Sequence, residues 1–256
     1  MGTHDGGRNT VKAAETLFRI VEALYERDGA GVTELASDLG VSKSTAHRHL
    51  LTLLRNEYAV KDGDTYYLSF RFLELGDYVR NREELYRLAK PLVEELAEET
   101  EERAQFVVEE HGYIRYVHRA TGSHAVETDS GLGKRAYMHA VAAGKAILAE
   151  FQEPRAREIV RRRGLPALTE NTITDETALF EELAAIEDRG VSFNDEESIV
   201  GLRAVGVPIC GPDGVVMGAL TVAGPTHRLK GDWFETDIPD LLLGTANELE
   251  LKIAYP

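Results

Sequence analysis

The 256-residue sequence contains a single cysteine, Cys210, and no long apolar run. One thiol excludes an internal disulfide framework and any zinc module built on paired cysteines. No apolar stretch reaches the roughly 20 residues that a membrane-spanning helix needs, and the first residues lack the apolar segment of a secretory signal. These absences predict a cytoplasmic protein in which residues 1–9 form a flexible N-terminus.

Positive charge is also scarce: 29 Lys and Arg stand against 44 Asp and Glu, which gives a net charge of −15. Because phosphates must be met by positive charge, this balance argues at first against a nucleic-acid partner. The acidic excess lies mostly in residues 71–256, however, and residues 41–56 contain no Asp or Glu at all. Abundant acid with few lysines is typical of proteins from salt-accumulating halophiles, and it predicts a halophilic archaeon as the source.

The first 57 residues carry three segments with the apolar spacing of amphipathic helices. They are residues 10–27, 33–39 and 42–57. Gly40 offers the positive-φ position that closes the second helix, and Ser42 is a good N-cap for the third. A small residue at a helix crossing (Ala36) followed four positions later by a turn glycine is the pattern of a helix-turn-helix.

The third helix of this pattern is the candidate DNA-reading helix, since its outward face is polar and basic. Two β-prone runs, residues 58–61 and 65–69, flank Asp62-Gly63-Asp64 and predict a hairpin, which would be the wing. Residues 10–70 therefore predict a winged helix-turn-helix domain. Hydroxyls and cations in this arrangement suit phosphates and base edges, and the candidate DNA contacts are Thr33, Ser42, Lys43, Ser44, Thr45, His47, Arg48 and Lys61. The alternative is a small helical bundle that packs against another protein.

The rest of the chain predicts an α+β domain. A linker helix is expected over residues 71–89, followed by residues 90–256 with a helix at 90–100 that begins near Pro91. Strands are expected at 104–109, 113–118, 205–210 and 215–222, and further helices at 140–151, 153–163, 175–188 and 232–254. Paired strand runs joined by glycine turns favour a mainly antiparallel sheet.

Six segments in this order resemble the IclR family of transcriptional regulators, over the chain from about Thr10 to Tyr255. The first is Thr33–Arg48, which contains the helix-turn-helix. The C-terminal ones are Met138–Ala149, Leu168–Asp175, Gly190–Ser198, Gly201–Ile209 and Gly218–Pro225. Six motifs in the same order along the chain identify a family far more specifically than any single motif does.

The resemblance implies a GAF-like effector-binding domain, dimers formed through the DNA-binding half and linker helix, and often dimers of dimers. It also implies a small organic effector (an organic acid, a sugar acid or an aromatic) from a catabolic route that the regulator controls. By position, the effector pocket comprises Ala125, Thr128, Ala136, Met138, Ala142, Ala143, Asn194, Leu202, Ala204, Thr221 and Ala223. Family members that bind small acids tend to have polar residues at the positions of Ala204 and Ala223, so alanines here favour a larger or less polar ligand.

Other readings of the same residues remain open. The small residues at 140–149 also suit tight helix–sheet packing, Asp195-Glu196-Glu197 suits a solvated surface, and the arginines of 155–163 suit pairing with nearby acid. The histidines show no metal-ligand spacing, no catalytic arrangement stands out, and no cofactor is expected. The competing functions are a DNA-bound regulator that binds no ligand and an enzyme that uses the C-terminal pocket. The enzyme is the less favoured of the two.

Overall fold

The computed structural model describes residues 10–125 and 131–255, and the chain divides into two compact units after Val79. The predicted flexible segment 1–9 lies outside the described residues. In the parts of the chain that are described, no helix is both long enough and apolar enough to span a membrane.

The first unit is a winged helix-turn-helix. Its elements are α1 (Lys12–Glu26), β1 (Ala30–Gly31), α2 (Val32–Leu39), α3 (Lys43–Arg55), β2 (Ala59–Asp62), β3 (Thr65–Leu68) and most of α4 (Arg71–Asn81), whose last two residues belong to the second unit. Gly40 ends α2 with a φ of 64°, and the Ser42 hydroxyl caps α3 by accepting the Thr45 N–H at 3.1 Å. Ile20, Leu35 and Leu50 are fully buried where the three helices meet. The predicted turn and cap therefore fix the orientation of α3.

Two details of this unit differ from the sequence-based expectation. Strand β1, only two residues long, pairs with β3 and makes the wing sheet three-stranded, with the order β1-β3-β2. Thr33 does not begin α2, because the N-cap position is Gly31, whose N–H donates to the Glu34 carboxylate at 2.8 Å. Thr33 is instead an exposed residue of the first turn.

The linker helix is shorter than predicted. Helix α4 ends at Asn81, and α5 spans Glu84–Thr100. Residues 84–89, predicted as part of the linker, belong to α5 because Leu85 and Ala89 are buried in the core of the second unit. Pro91, expected in the first turn of a helix, lies inside α5.

The second unit is an α+β domain built on one antiparallel sheet. Its strands are β4 (Arg103–Glu110), β5 (Tyr113–Thr121), β6 (Arg135–Tyr137), β7 (Ser192–Asp195), β8 (Leu202–Cys210) and β9 (Val216–Pro225). Their spatial order is β6-β5-β4-β9-β8-β7. Of these, β6 and β7 were not predicted from the sequence.

Helices cover both faces of this sheet. The further helices are α6 (Ala142–Glu150), α7 (Glu153–Arg163), α8 (Glu176–Arg189) and α9 (Ile238–Ala254), with a 3-10 turn at Met138–Ala140 and a π turn at Trp233–Asp237. One apolar core joins α5 and α9 to the face that carries Phe106 and Leu220. A second core joins α6, α7 and α8 to the face that carries Val107 and Ala219. Successive strand residues point to opposite faces, which is why neighbours in sequence enter different cores.

Candidate DNA-binding surface and effector cavity

The outward face of α3 carries the predicted DNA-contacting side chains. Lys43, Ser44, His47 and Arg48 are exposed, and Thr45 is half-buried. The Ser42 hydroxyl lies 2.9 Å from those of both Ser44 and Thr45. Ser42 is therefore held as the helix cap, and the free surface of α3 is a basic strip without any carboxylate of its own.

The β2–β3 hairpin, which is the wing, carries one cationic side chain next to two acidic ones. Lys61 is exposed on β2, and its Nζ lies 5.4 Å from the centre of the Tyr66 ring. Asp62 and Asp64 flank the turn glycine, Gly63, whose φ is 56°. Because carboxylates repel phosphate, Lys61 is the wing residue that suits the DNA backbone.

The second unit contains a cavity of about 200 Å³ between the sheet and the start of α6. Strand register organises its floor into two rows that cross the sheet, since residues in register share a face. One row runs Asn194, Ala204, Ala223, Arg103 and Thr121, and the other runs Ser192, Gly206, Thr221, Gln105 and Arg119. Of these, Thr121, Ser192, Gly206 and Arg119 share the face but do not line the cavity. The floor is therefore small and apolar in its middle and rich in hydrogen-bond donors toward β4 and β5.

Helix α6 forms the opposite wall and lies very close to the sheet. A Cβ atom placed on Gly206 would lie 2.7 Å from the Ala143 nitrogen and 2.8 Å from the Ala142 carbonyl carbon. Glycine at 206 thus lets the first turn of α6 contact β8. The first N–H groups of a helix have no partner within the helix, and they attract anions. Ala142 and Ala143 line the cavity at this point.

Gly206→Ala is expected to destabilise the second unit by about 1–3 kcal/mol, since backbone atoms of α6 would have to move. Thermal or urea unfolding of the full chain measures the loss. Gly244→Ala is the matched control: this glycine lies within α9 with nothing near its added Cβ. A helical Gly→Ala change at such a site is neutral or stabilising. Equal stability of both variants would contradict the close contact.

Eight of the predicted effector residues line the cavity, namely Ala136, Ala142, Ala143, Asn194, Leu202, Ala204, Thr221 and Ala223. Met138 is not brought into the cavity, because it is buried in the core among α6, α7 and α8. Ala125 lies in a turn where its N–H donates to the Gly122 carbonyl at 3.2 Å, and it is not a lining residue. Thr128 lies outside the described residues.

Several polar lining residues were missed from the sequence, above all Arg103, Gln105, Tyr116 and Arg135. Arg103 is 2% exposed, and Gln105 is 3% exposed. Burial raises the pKa of Tyr116, and the neighbouring charge of Arg103 opposes part of that rise. Polar residues two apart at the start of β4 share a face of a strand, so the alternation of Arg103 and Gln105 was the available signal.

A buried ion pair supports α6 from behind the cavity. Lys145 is 1% exposed, and its Nζ lies 2.6 Å from Glu197 Oε1 and 3.8 Å from Glu182 Oε1. Burial raises the pKa of Glu197, and Lys145 offsets only part of this effect. Glu197 was predicted as solvated surface, which is wrong, because the opposing cation of α6 draws it inside.

Asn194 connects this ion pair to the cavity. Its Nδ2 donates to the Ala140 carbonyl at 2.6 Å, and its Oδ1 accepts the Glu197 N–H at 3.2 Å. Both ends of the amide are thus engaged in holding the chain around α6. Its role toward an effector therefore stays a prediction.

The arginines of residues 155–163 contact groups within the second unit. Arg155 and Arg157 of α7 pair with nearby glutamates, and Arg162 and Arg163 donate to the His111 carbonyl in the β4–β5 turn. This basic cluster therefore ties α7 to its own domain. Within the described residues, no group of His, Cys, Asp or Glu is arranged to hold a metal ion.

A winged helix-turn-helix in one unit and a donor-lined cavity in the other define a ligand-regulated DNA-binding protein as the class. Residues 13–63 match the IclR helix-turn-helix domain, and residues 78–250 match the C-terminal domain of the bacterial transcriptional regulator IclR. The chain belongs to the IclR family of transcriptional regulators.

Known proteins resemble it along almost its whole length. A probable HTH-type transcriptional regulator, ArcR of Halobacterium salinarum, is 32% identical over 254 residues, covering 98% of this chain and 97% of that protein. That relative comes from a halophilic archaeon, in agreement with the acidic composition.

Solved structures share the fold. The IclR protein of Thermotoga maritima superposes with a TM-score of 0.79 at 26% identity, covering 95% of this chain and 98% of that one. An IclR homologue of Microbacterium hydrocarbonoxydans, complexed with 4-hydroxybenzoate, superposes with a TM-score of 0.80 at 23% identity, covering 95% of this chain and all of that one.

Proposed function

We propose that this regulator works as a homodimer on a pseudo-palindromic operator of catabolic genes and is controlled by an organic carboxylate bound in the cavity. The observation that carries the proposal is the donor-rich lining. Gln105 and the first turn of α6 present N–H groups there, and the described lining residues include no Asp or Glu. In a chain with a net charge of −15, such a lining selects an anion.

The cavity lining favours an effector whose remaining atoms, apart from the carboxylate, are mostly apolar. Ala204 and Ala223 lie side by side in the middle of the floor, and Ile114 and Leu202 line the same space. A volume of about 200 Å³ suits a ligand of roughly ring size rather than a two-carbon acid. The Microbacterium homologue in complex with 4-hydroxybenzoate supports an aromatic acid as one such ligand. Catalysis is not part of this proposal, since the described lining holds no His, Cys or carboxylate.

Calorimetry on the full chain in concentrated KCl tests the effector class with matched pairs such as benzoate and benzamide. We expect the carboxylate to bind and its neutral amide to bind at least tenfold more weakly, since only the anion gains charge-assisted hydrogen bonds. Equal affinity of the two, or no binding by any carboxylate tried, would count against a carboxylate effector. The second outcome would favour a DNA-bound regulator that needs no ligand.

The dimer is proposed from apolar surface on the first unit. Phe18 and Tyr25 of α1 are 66% and 64% exposed, and Leu73 and Tyr78 of α4 are 66% and 70% exposed. Helix α4 has no buried residue at all. A helix with large apolar side chains in water favours association, and continuity with the DNA-binding unit favours a second copy of the chain as the partner.

Leu73→Glu is expected to shift the chain from dimer toward monomer, because a carboxylate would enter an apolar interface. We expect the dimer dissociation constant to rise at least tenfold in sedimentation velocity, with a parallel loss of operator affinity. Val215→Glu is the control, since this exposed side chain lies in the β8–β9 turn of the other unit. An unchanged sedimentation profile for Leu73→Glu would contradict a dimer through α4.

A further inference from the structure

The row of residues through Gly206, Thr221, Gln105 and Arg119 crosses four adjacent strands on the cavity face. At one end, Gly206 lies against the first turn of α6. At the other end stand two side chains that carry N–H donors: Gln105 lines the cavity, and Arg119 lies beside it in register but outside the lining. Neighbouring strands lie about 4.8 Å apart, so Gln105 lies about 10 Å and Arg119 about 14 Å from the strand position under α6.

The donors at the far end have no acceptor in the part of the chain that the structure describes. Gln105 Nε2 and Arg119 Nε are buried, and neither makes a hydrogen bond to any described residue. Thr221, next to Gln105 in the row, does not serve as the acceptor, because its hydroxyl donates to the Val205 carbonyl at 2.6 Å. A buried donor without a partner is costly and marks a place where a ligand supplies the missing acceptor.

Both donors sit directly opposite each other across β4 and β5 and share one face. A guanidinium beside an amide N–H suits a carboxylate, since hydrogen bonds between charged groups are shorter and stronger than neutral ones. Thr221 lies between the two ends of this row, and Ala204 and Ala223 lie in the neighbouring row. All three line the cavity and are small, so they leave room for a ligand that spans them.

We propose that Gln105 and Arg119 form a second anion-binding subsite, so that the effector is a dicarboxylate whose two ends lie at α6 and at the β4–β5 pair. This rests on the proposed carboxylate effector and names its class more narrowly. Gln105 and Arg119 are then the residues that distinguish a dicarboxylate from a monocarboxylate of the same body.

Calorimetry on the full chain in concentrated KCl tests this with two pairs of probes, adipate against hexanoate and terephthalate against benzoate. We expect at least one dicarboxylate to bind tenfold or more tightly than its monocarboxylate partner. Gln105→Leu and Arg119→Gln should each reduce that preference at least fivefold, and Arg119→Gln should change monocarboxylate affinity less than threefold. Arg161→Gln, which removes an exposed arginine of α7, controls for the change in net charge.

The outcomes separate the two proposals. Monocarboxylates that bind as well as dicarboxylates, or a preference that survives both substitutions, would overturn the second subsite and leave the carboxylate effector standing. No binding by any of the four probes would overturn both. Thermal unfolding of each variant shows whether it folds, and two chemically different substitutions keep the test decisive if one of them does not.

Discussion

Lys145→Met is expected to lower the free energy of unfolding of the second unit by about 3–5 kcal/mol, because it leaves Glu197 buried without its cation. Glu182, the other acid near Lys145, keeps its contact with Arg189 at 2.8 Å and needs no new partner. Urea unfolding of the full chain in KCl measures the effect. Lys252→Met on the exposed surface is the control, since its pair with Glu248 is an i,i+4 contact of α9 that contributes at most about 0.5 kcal/mol.

The pH dependence of this loss gives a second check. Burial raises the pKa of Glu197 above its unfolded value, so the folded state binds the proton more tightly than the unfolded state. Stability from such a group is present at low pH and declines as the pH rises through the folded pKa. The deficit of Lys145→Met should therefore be smaller at about pH 4 than at about pH 7. A deficit that grows toward acid would contradict the buried, uncompensated carboxylate.

An apolar replacement of the whole pair should behave differently from the single change. The upward shift of the Glu197 pKa shows that Lys145 does not fully compensate the burial of this carboxylate. Replacing both partners, as in Lys145→Met with Glu197→Leu, is expected to recover most of the stability lost by Lys145→Met alone. A double variant as unstable as the single one would assign the loss to altered packing of α6 instead.

Arg48→Ala is expected to weaken binding to the selected operator about ten- to a hundredfold, because one arginine–guanine contact supplies roughly 1–3 kcal/mol of discrimination. Binding to random duplex should fall much less, so the ratio of specific to non-specific affinity decreases. Fluorescence anisotropy with both duplexes at several KCl concentrations measures this ratio.

Arg161→Ala is the control for Arg48→Ala, since it removes the same charge from the surface of α7. Lys61→Ala should weaken both duplexes alike and reduce the salt dependence, as expected for a phosphate contact. If Arg48→Ala also weakened both duplexes equally, Arg48 would be a phosphate contact, and base readout would fall to Lys43, Thr45 or His47.

Much of the fold follows from local chemistry in the sequence. Gly40 and Ser42 mark the turn and cap of the helix-turn-helix in residues that are adjacent along the chain, and both act in the structure as predicted. Asp175 likewise caps α8 by accepting the Ala178 N–H at 2.9 Å. Strand β1 has only two residues, which is too short for a periodic pattern in the sequence. The end of the linker helix is set by the burial of Leu85 in the core of the second unit, which is a tertiary contact.

The cavity was only half predictable for a related reason. Its alanines and Asn194 came from motif positions, whereas the pairing of Arg119 with the lining residue Gln105 depends on the register of β4 and β5. That register shifts at an irregularity between Phe106 and Val107, which no alternation in the sequence reveals. Glu197 enters the interior through Lys145, 52 residues away along the chain, and such a pairing is set by the tertiary fold rather than by neighbouring residues.

The most direct test of the account is selection of operator sequences from a random duplex pool by the full chain in concentrated KCl, followed by titration of the selected duplex with and without a bound carboxylate. We predict enrichment of one pseudo-palindrome with half-sites about one helical turn apart, or a multiple of it. We also predict that the carboxylate changes operator affinity at least fivefold. No enrichment at any salt concentration, or an operator affinity that a bound carboxylate leaves unchanged, would contradict a ligand-gated regulator.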